Sequence, residues 1–234
     1  MYACGFIANA FTPTTLDRLP GPHALPWPAA AAINTALLCI FAVQHSVMAR
    51  PWFKARWTRL VPEPIERSTY VLFSSLALIA IFAFWQPLGG VVWHAQTPAL
   101  RYALFGLLAA GLLLVLATTF MINHADLFGL RQVWLYARNR HYTHLPFKTP
   151  WLYSIVRHPL YAGWFISFWA TPTMTAAHLL FAVATTVYIL VAIRWEERDL
   201  IEFHGQAYIT YRQRVPKLIP GTRARAAKVR GRAA

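Results

Sequence analysis

Trp151-Leu-Tyr153-Ser-Ile-Val-Arg157-His158-Pro159-Leu160-Tyr161-Ala-Gly163-Trp164 opens a stretch that continues through an apolar hairpin to Glu196-Glu197. It sets a basic, aromatic cluster at one end of the hairpin and a carboxylate pair at the other. Pro159 suits the first turn of a helix, where its missing N–H would have no partner in any case. From that start His158 and Tyr161 lie three apart and share a face. The hairpin runs from Leu160 to Trp195 and breaks near Ala170-Thr-Pro172-Thr-Met-Thr175. Its first arm covers only about 18 Å at the helical rise per residue, so it is predicted to be short, tilted or sunk beside other helices. Such a hairpin brings Glu196 and Glu197, at the end of the returning helix, back toward His158. A cation, a phenol and one or two carboxylates around a small volume suit a zwitterionic ligand carrying positive charge. An interfacial belt in which Glu pairs with Arg is the competing reading.

Outward from this stretch the chain is 57% hydrophobic and 13% charged, more apolar than soluble domains usually are. Several runs approach the roughly 20 residues that a bilayer requires of a helix. Spans are predicted at Ala29 to Met48, Thr69 to Gln86 and Arg101 to Met121, the last with Gly106 and Gly111 offering close helix contact. Asn34, Gln44 and His45 interrupt the first span, and polar residues there face other helices or a cavity. Residues 1–12 are apolar but too short to span, and read as an interfacial segment or as part of a helix. The Pro-rich residues 13–28 read as an extended extramembrane loop. Cys4 and Cys39 lie in apolar surroundings and read as small apolar fillers. The expectation is an all-α polytopic membrane bundle of about five membrane segments, ending in the helical hairpin and a cytosolic amphipathic C-terminal segment. Its regions are an N-terminal segment at 1–28, three transmembrane helices within 29–121, the ligand-bearing region at 122–220 and a basic tail at 221–234.

A formal net charge of +14 raises nucleic acid as a partner, but the charges lie between and after the apolar runs, not along one amphipathic face. A nucleic-acid partner is therefore not expected; the bilayer is. Of the 22 Lys and Arg, 20 fall in the loop after the first span, in the loop after the third, and from Arg194 onward. With five alternating segments these regions share one side, which the positive-inside rule makes the cytoplasm. His141 and His144 form a short HxxH spacing without Cys partners or an HExxH motif, so no bound metal is expected. No P-loop or GxGxxG run is present to hold a nucleotide.

Arg157-His158-Pro159-Leu160-Tyr161-Ala162-Gly163, Glu196-Glu197 and Tyr208-Ile-Thr-Tyr211-Arg-Gln-Arg-Val215-Pro216 together resemble the C-terminal region of the isoprenylcysteine carboxyl methyltransferase family. Gln44 through Pro51, Glu66 through Tyr70, Asn123 through Gln132 and Phe168 through Thr175 are similar to its bacterial branch that methylates methanethiol to dimethyl sulfide. The resemblance implies an inner-membrane enzyme that uses S-adenosylmethionine. The implied contacts to this methyl donor are Tyr153, Arg157, His158, Pro159, Leu160, Tyr161, Glu196 and Glu197. Relatives that methylate a prenylcysteine carboxylate carry an Arg one helical turn before the Glu pair. Ala192 stands there in this chain, which favours an acceptor without a carboxylate. His124, Asp126 and His45 are the polar candidates for activating the acceptor, and each also reads as a structural hydrogen-bonding group. A phospholipid amine or a prenylated thiol as acceptor, or a non-catalytic relative linked to nitrogen-oxide metabolism, are the alternatives.

Overall fold

The computed structural model describes residues 2–222; the basic tail expected beyond Gly221 lies, from residue 223, outside the described residues. The N-terminal half contains α1 (Tyr2–Ala8), α2 (Trp27–Met48), α3 (Pro51–Trp57), α4 (Glu63–Phe84), the strand β1 (Val91–His94) and α5 (Pro98–Ile122). The C-terminal half contains α6 (His124–Leu127), α7 (Leu130–Ala137), α8 (Leu152–Ile155), α9 (Pro159–Trp169), the strand β2 (Thr173–Thr175), α10 (Ala176–His204) and α11 (Gln206–Arg214). Proline stands at the first or second position of α2, α3, α4, α5 and α9, where its fixed φ favours initiation.

Four helices, α2, α4, α5 and α10, are long and apolar enough to cross a membrane. Their outward faces carry large exposed apolar side chains such as Ile40, Val43, Leu76, Ile79, Leu113 and Val187. A continuous apolar exterior is what lipid requires and water penalises, and this is an integral membrane protein. Cys4 and Cys39 are both exposed, so neither is core filling, and Cys39 belongs to this outer surface.

The expected fifth segment, α9, has 11 residues and spans only about 16 Å. It lies along α5, where a Cβ added at Gly163 would sit 2.8 Å from the Gly111 carbonyl oxygen and one added at Gly111 would sit 2.9 Å from that of Gly163. The two backbones touch, as small residues permit in membrane helix pairs. Gly106 faces open space instead and takes no part in the contact. The returning helix also exceeds its expected end: α10 has 29 residues and carries Glu196 and Glu197 within it, before Gly205 at φ 56° stops it.

The bundle is not wholly helical. β1 pairs antiparallel with β2, Trp93 opposite Met174 and His94 opposite Thr173. Gly89 and Gly90 both adopt positive φ and turn the chain after α4 so that Val91-Val92-Trp93 meets the hairpin break. Residues 13–28 do not float free of the bundle either. Asp17 accepts from the Thr175 amide at 2.7 Å and lies 2.7 Å from His178 Nδ1, while His178 Nε2 lies 3.0 Å from the Phe168 carbonyl. Leu16, Phe6 and Ile7 are buried beside this cluster, with Phe6 packed on Phe82, Trp85 and Phe181. The N-terminal segment thus caps the end of the bundle opposite Glu196 and Glu197.

Candidate active site

The other end of α9 begins with an extended step from Val156 to His158, and this step pairs with the chain after α11. The Arg157 amide donates to Pro216 O at 2.9 Å and the His158 amide to Lys217 O at 3.1 Å. The Arg157 guanidinium closes the same junction. Nε and Nη2 donate to Glu197 Oε1 at 2.9 and 2.7 Å, and Nη1 donates to the carbonyls of Arg212 and Val215. Every nitrogen of a buried charge is thereby satisfied within the protein, as its desolvation requires.

His158, 5% exposed, stands between the two carboxylates. Its Nε2 is 3.1 Å from Glu197 Oε1, and its Nδ1 is 3.7 Å from Glu196 Oε2, beyond hydrogen-bonding distance. That Glu196 oxygen is buried and has no hydrogen-bond partner among the described residues. The Glu196 side chain as a whole is 43% exposed, so this oxygen faces inward while the rest of the carboxylate stays within reach of solvent or a ligand. Aromatic rings surround this oxygen. Tyr161 stacks obliquely on His158 with ring centroids 5.6 Å apart. The Tyr153 phenol is raised above its ordinary ionisation range by burial and by the Glu196 carboxylate. Pro159 is buried at the first turn of α9, and Leu160 is half-buried behind it.

Tyr211 donates its hydroxyl to Tyr153 O. Burial, opposed by Arg157, pushes this phenol up to about 12, so it stays a neutral donor. Phe147 packs on His204, Tyr208 and Tyr211, and His144 packs on Phe203. The loop before α8 therefore lies across α10 and α11 beside the site.

The three candidate acceptor-side residues part company. His45 on α2 stacks on Phe41 and hydrogen-bonds Ser74 and the Tyr70 hydroxyl of α4. Tyr188 of α10 meets the His45 ring edge-on at 6.5 Å. The Tyr161 phenol lies within electrostatic range of Glu196, Tyr188 and Tyr70, so this polar patch adjoins the His158 and Glu196 cluster. His124 instead bonds Thr119 at 2.9 Å and stacks on Phe120. Asp126 forms an ion pair with Arg131 at 2.9 Å and accepts from Gln132 and Tyr142. Among the described residues no hydrogen bond, ion pair or ring contact joins His124 or Asp126 to Glu196. Tyr70 and Tyr188 were not singled out from the sequence as site residues; the available signal was a tyrosine within each of two apolar spans. No group of three or more His, Cys, Asp or Glu converges as a metal site among the described residues.

At one end of this membrane bundle an unpartnered carboxylate oxygen thus lies beside His158 and its aromatic neighbours. Over 220 residues, 94% of this chain and 85% of the relative, it is 55% identical to the methanethiol S-methyltransferase of Crocosphaera subtropica. It is 50% identical over 221 residues, 94% of this chain and 88% of the relative, to the protein of that name in Mycobacterium tuberculosis. A more distant relative, nurim of Rattus norvegicus, is 32% identical over 190 residues, 76% of this chain and 71% of its own length. No family model and no solved structure matches the chain. The chain belongs to the methanethiol S-methyltransferase family and is a methyltransferase.

Proposed function

We propose that this protein methylates methanethiol to dimethyl sulfide with S-adenosylmethionine as donor, on the cytosolic side of a bacterial inner membrane with the C-terminus in the cytoplasm. The observation that carries the reading is Glu196 Oε2, buried without a donor and lined by Tyr153, Tyr161 and His158. These four residues would hold the donor, whose sulfonium and amino group both carry positive charge that suits a carboxylate and aromatic faces. Bound S-adenosylmethionine supplies an electrophilic methyl group to the acceptor sulfur. Pro159 and Leu160 shape the floor of the site, and Arg157 with Glu197 fixes the orientation of His158.

The chain's own contribution is placement, since a reaction between two small molecules gains most from orientation and water exclusion. A thiol reacts as its thiolate, so a group near the acceptor must take the S–H proton. Of His45, His124 and Asp126, His45 suits this best. It lies on the Tyr70 and Tyr188 patch that adjoins Tyr161, whereas the contacts of Asp126 and His124, to Arg131 and Thr119, lead away from Glu196. In this reading His124 and Asp126 are structural hydrogen-bonding groups of the segment from Asn123 to Gln132. The Phe41 ring stacked on His45 gives a small thiol an apolar wall beside this patch.

The test is to incubate membranes containing the protein with S-adenosylmethionine and methanethiol and to measure dimethyl sulfide in the headspace. Formation that is lost in Glu196→Gln is expected. A protein that binds the donor but methylates only a phospholipid amine or a prenylated thiol would overturn the acceptor, and one that binds no donor would overturn the whole reading.

A further inference from the structure

Arg194 is the first Arg or Lys of α10, after 18 residues from Ala176 that include no Lys, Arg, Asp or Glu. That run covers about 27 Å, close to the hydrocarbon thickness of a bilayer. Arg194 therefore stands at the level of the lipid headgroups, with the exposed Trp195 ring beside it, as interfacial aromatics do. Arg194, Arg198 and Ile201 follow one another at helical spacing and, with Glu197 and Arg212 of α11, line a groove of about 340 Å³.

Some arginines near this end of the bundle are paired with carboxylates, and others, the three of this groove among them, are not. Arg50, Arg131 and Arg157 each have a carboxylate within 4 Å. Among the described residues Arg194, Arg198 and Arg212 have no ion pair, and none donates a side-chain hydrogen bond. Arg194 and Arg198 are exposed, and Arg212 is half-buried. The Glu197 carboxylate in the groove is already neutralised, since its Oε1 accepts from both Arg157 and His158. The groove therefore presents a net positive face. It opens on the side of α10 away from Glu196: Arg194 and Arg198 each lie two residues from it, so both project about 160° away around the helix, and Glu197 is the residue the groove shares with the Arg157 and His158 junction.

We propose that this groove binds the phosphate of an anionic phospholipid. Guanidinium groups match phosphate oxygens in charge and in fork geometry. The position of Arg194 at the edge of the hydrocarbon, next to the exposed Trp195, favours a lipid headgroup over a soluble phosphate. Its occupant bridges α10 to α11, the two elements that hold the Arg157 and Glu197 junction from outside.

The test uses the purified full chain in neutral detergent, titrated with phosphatidylglycerol or phosphatidylcholine, with retained lipid counted by native mass spectrometry. Phosphatidylglycerol is expected to be retained in preference to phosphatidylcholine. Interfacial arginines each contribute several-fold to binding of anionic lipid, so Arg194→Gln with Arg198→Gln lowers retention about tenfold. The same two positions changed to Lys keep most of it, which separates loss of charge from loss of fold. Arg138→Gln with Arg140→Gln, an equal loss of charge in the loop after α7, leaves retention unchanged. Equal losses in the two glutamine pairs would reduce the effect to overall charge and overturn the site. Displacement of the lipid by millimolar inorganic phosphate would assign the groove to a free anion and overturn the lipid.

Discussion

Arg157 Nη2 and Glu197 Oε1 lie 2.7 Å apart with side chains only 6% and 9% exposed, and the same guanidinium donates to the carbonyls of Arg212 and Val215. One residue thus ties together α9, α10 and the chain after α11. Removing one partner of a buried pair leaves an uncompensated charge, at a cost of about 3–5 kcal/mol. Arg157→Ala is expected to lower the unfolding temperature in detergent sharply. Arg157→Lys recovers little, because an ammonium cannot serve Glu197 and two carbonyls with one planar fork. Arg157→Met combined with Glu197→Met, which leaves no lone charge, destabilises less than either single Ala variant. Thermal unfolding of the four variants checks the order.

Glu196 is adjacent in sequence to Glu197 and opposite in expected behaviour. Its Oε2 has no partner among the described residues, so Glu196→Gln removes no internal bond at that atom and leaves stability within about 0.5 kcal/mol, as for substitutions away from internal contacts. Contacts to charged groups contribute about 1.5–3 kcal/mol, which corresponds to roughly a 10- to 100-fold rise in Kd for S-adenosylmethionine. Calorimetric titration together with a melting curve checks both halves. A variant with lowered stability and unchanged affinity would reverse the roles assigned to the two glutamates.

The parts of the fold legible in the sequence are those set by local physics. Pro159 marks the start of α9, the apolar runs mark the spans, and the crowding of Arg, His, Tyr and Glu marks the end of the bundle where His158, Glu196 and Glu197 meet. What was not legible depends on partners far away in the chain. Asp17 meets His178 across 161 residues, so a Pro-rich loop became part of the cap. Val91 to His94 are strand only because Thr173 to Thr175 run beside them. Arg157 in sequence looks like a ligand contact, and only the return of Val215 and Pro216 shows how its donors are occupied. Tyr70 and Tyr188 sit in separate spans, and only the approach of both to His45 makes them a patch. Gly106 and Gly111 are indistinguishable by composition, and packing separates them.

That separation is itself testable. A methyl group at Gly163 would fall 2.8 Å from the Gly111 carbonyl oxygen and 2.9 Å from a Val115 methyl, so α5 and α9 must move apart to admit it. Overpacking of this kind costs about 1–3 kcal/mol, and because α9 carries His158 and Tyr161 at its start, Gly163→Ala also lowers donor affinity. Gly106 meets nothing within 4 Å, so Gly106→Ala is neutral or stabilises by up to about 1 kcal/mol through helix propensity. Melting curves of the two variants are expected to shift in opposite directions or differ by several degrees.

The cap at the other end has its own pH signature. Burial alone would raise the Asp17 carboxyl, but hydrogen bonding and charge from His178, with the Thr175 amide, hold it below its ordinary value. A folded value below the unfolded one of about 3.9 means that the ionised carboxylate stabilises the fold. That contribution is fully present above the unfolded value and is lost as pH falls through the lowered folded value. The unfolding temperature is therefore expected to hold from neutral pH down to about 5 and to fall below about 4. Asp17→Asn, which cannot ionise, is less stable near neutrality and shows a shallower acid limb. If the acid limb of the variant matches that of the parent protein, another carboxylate governs it, and the link between Asp17 and His178 contributes structure without pH dependence.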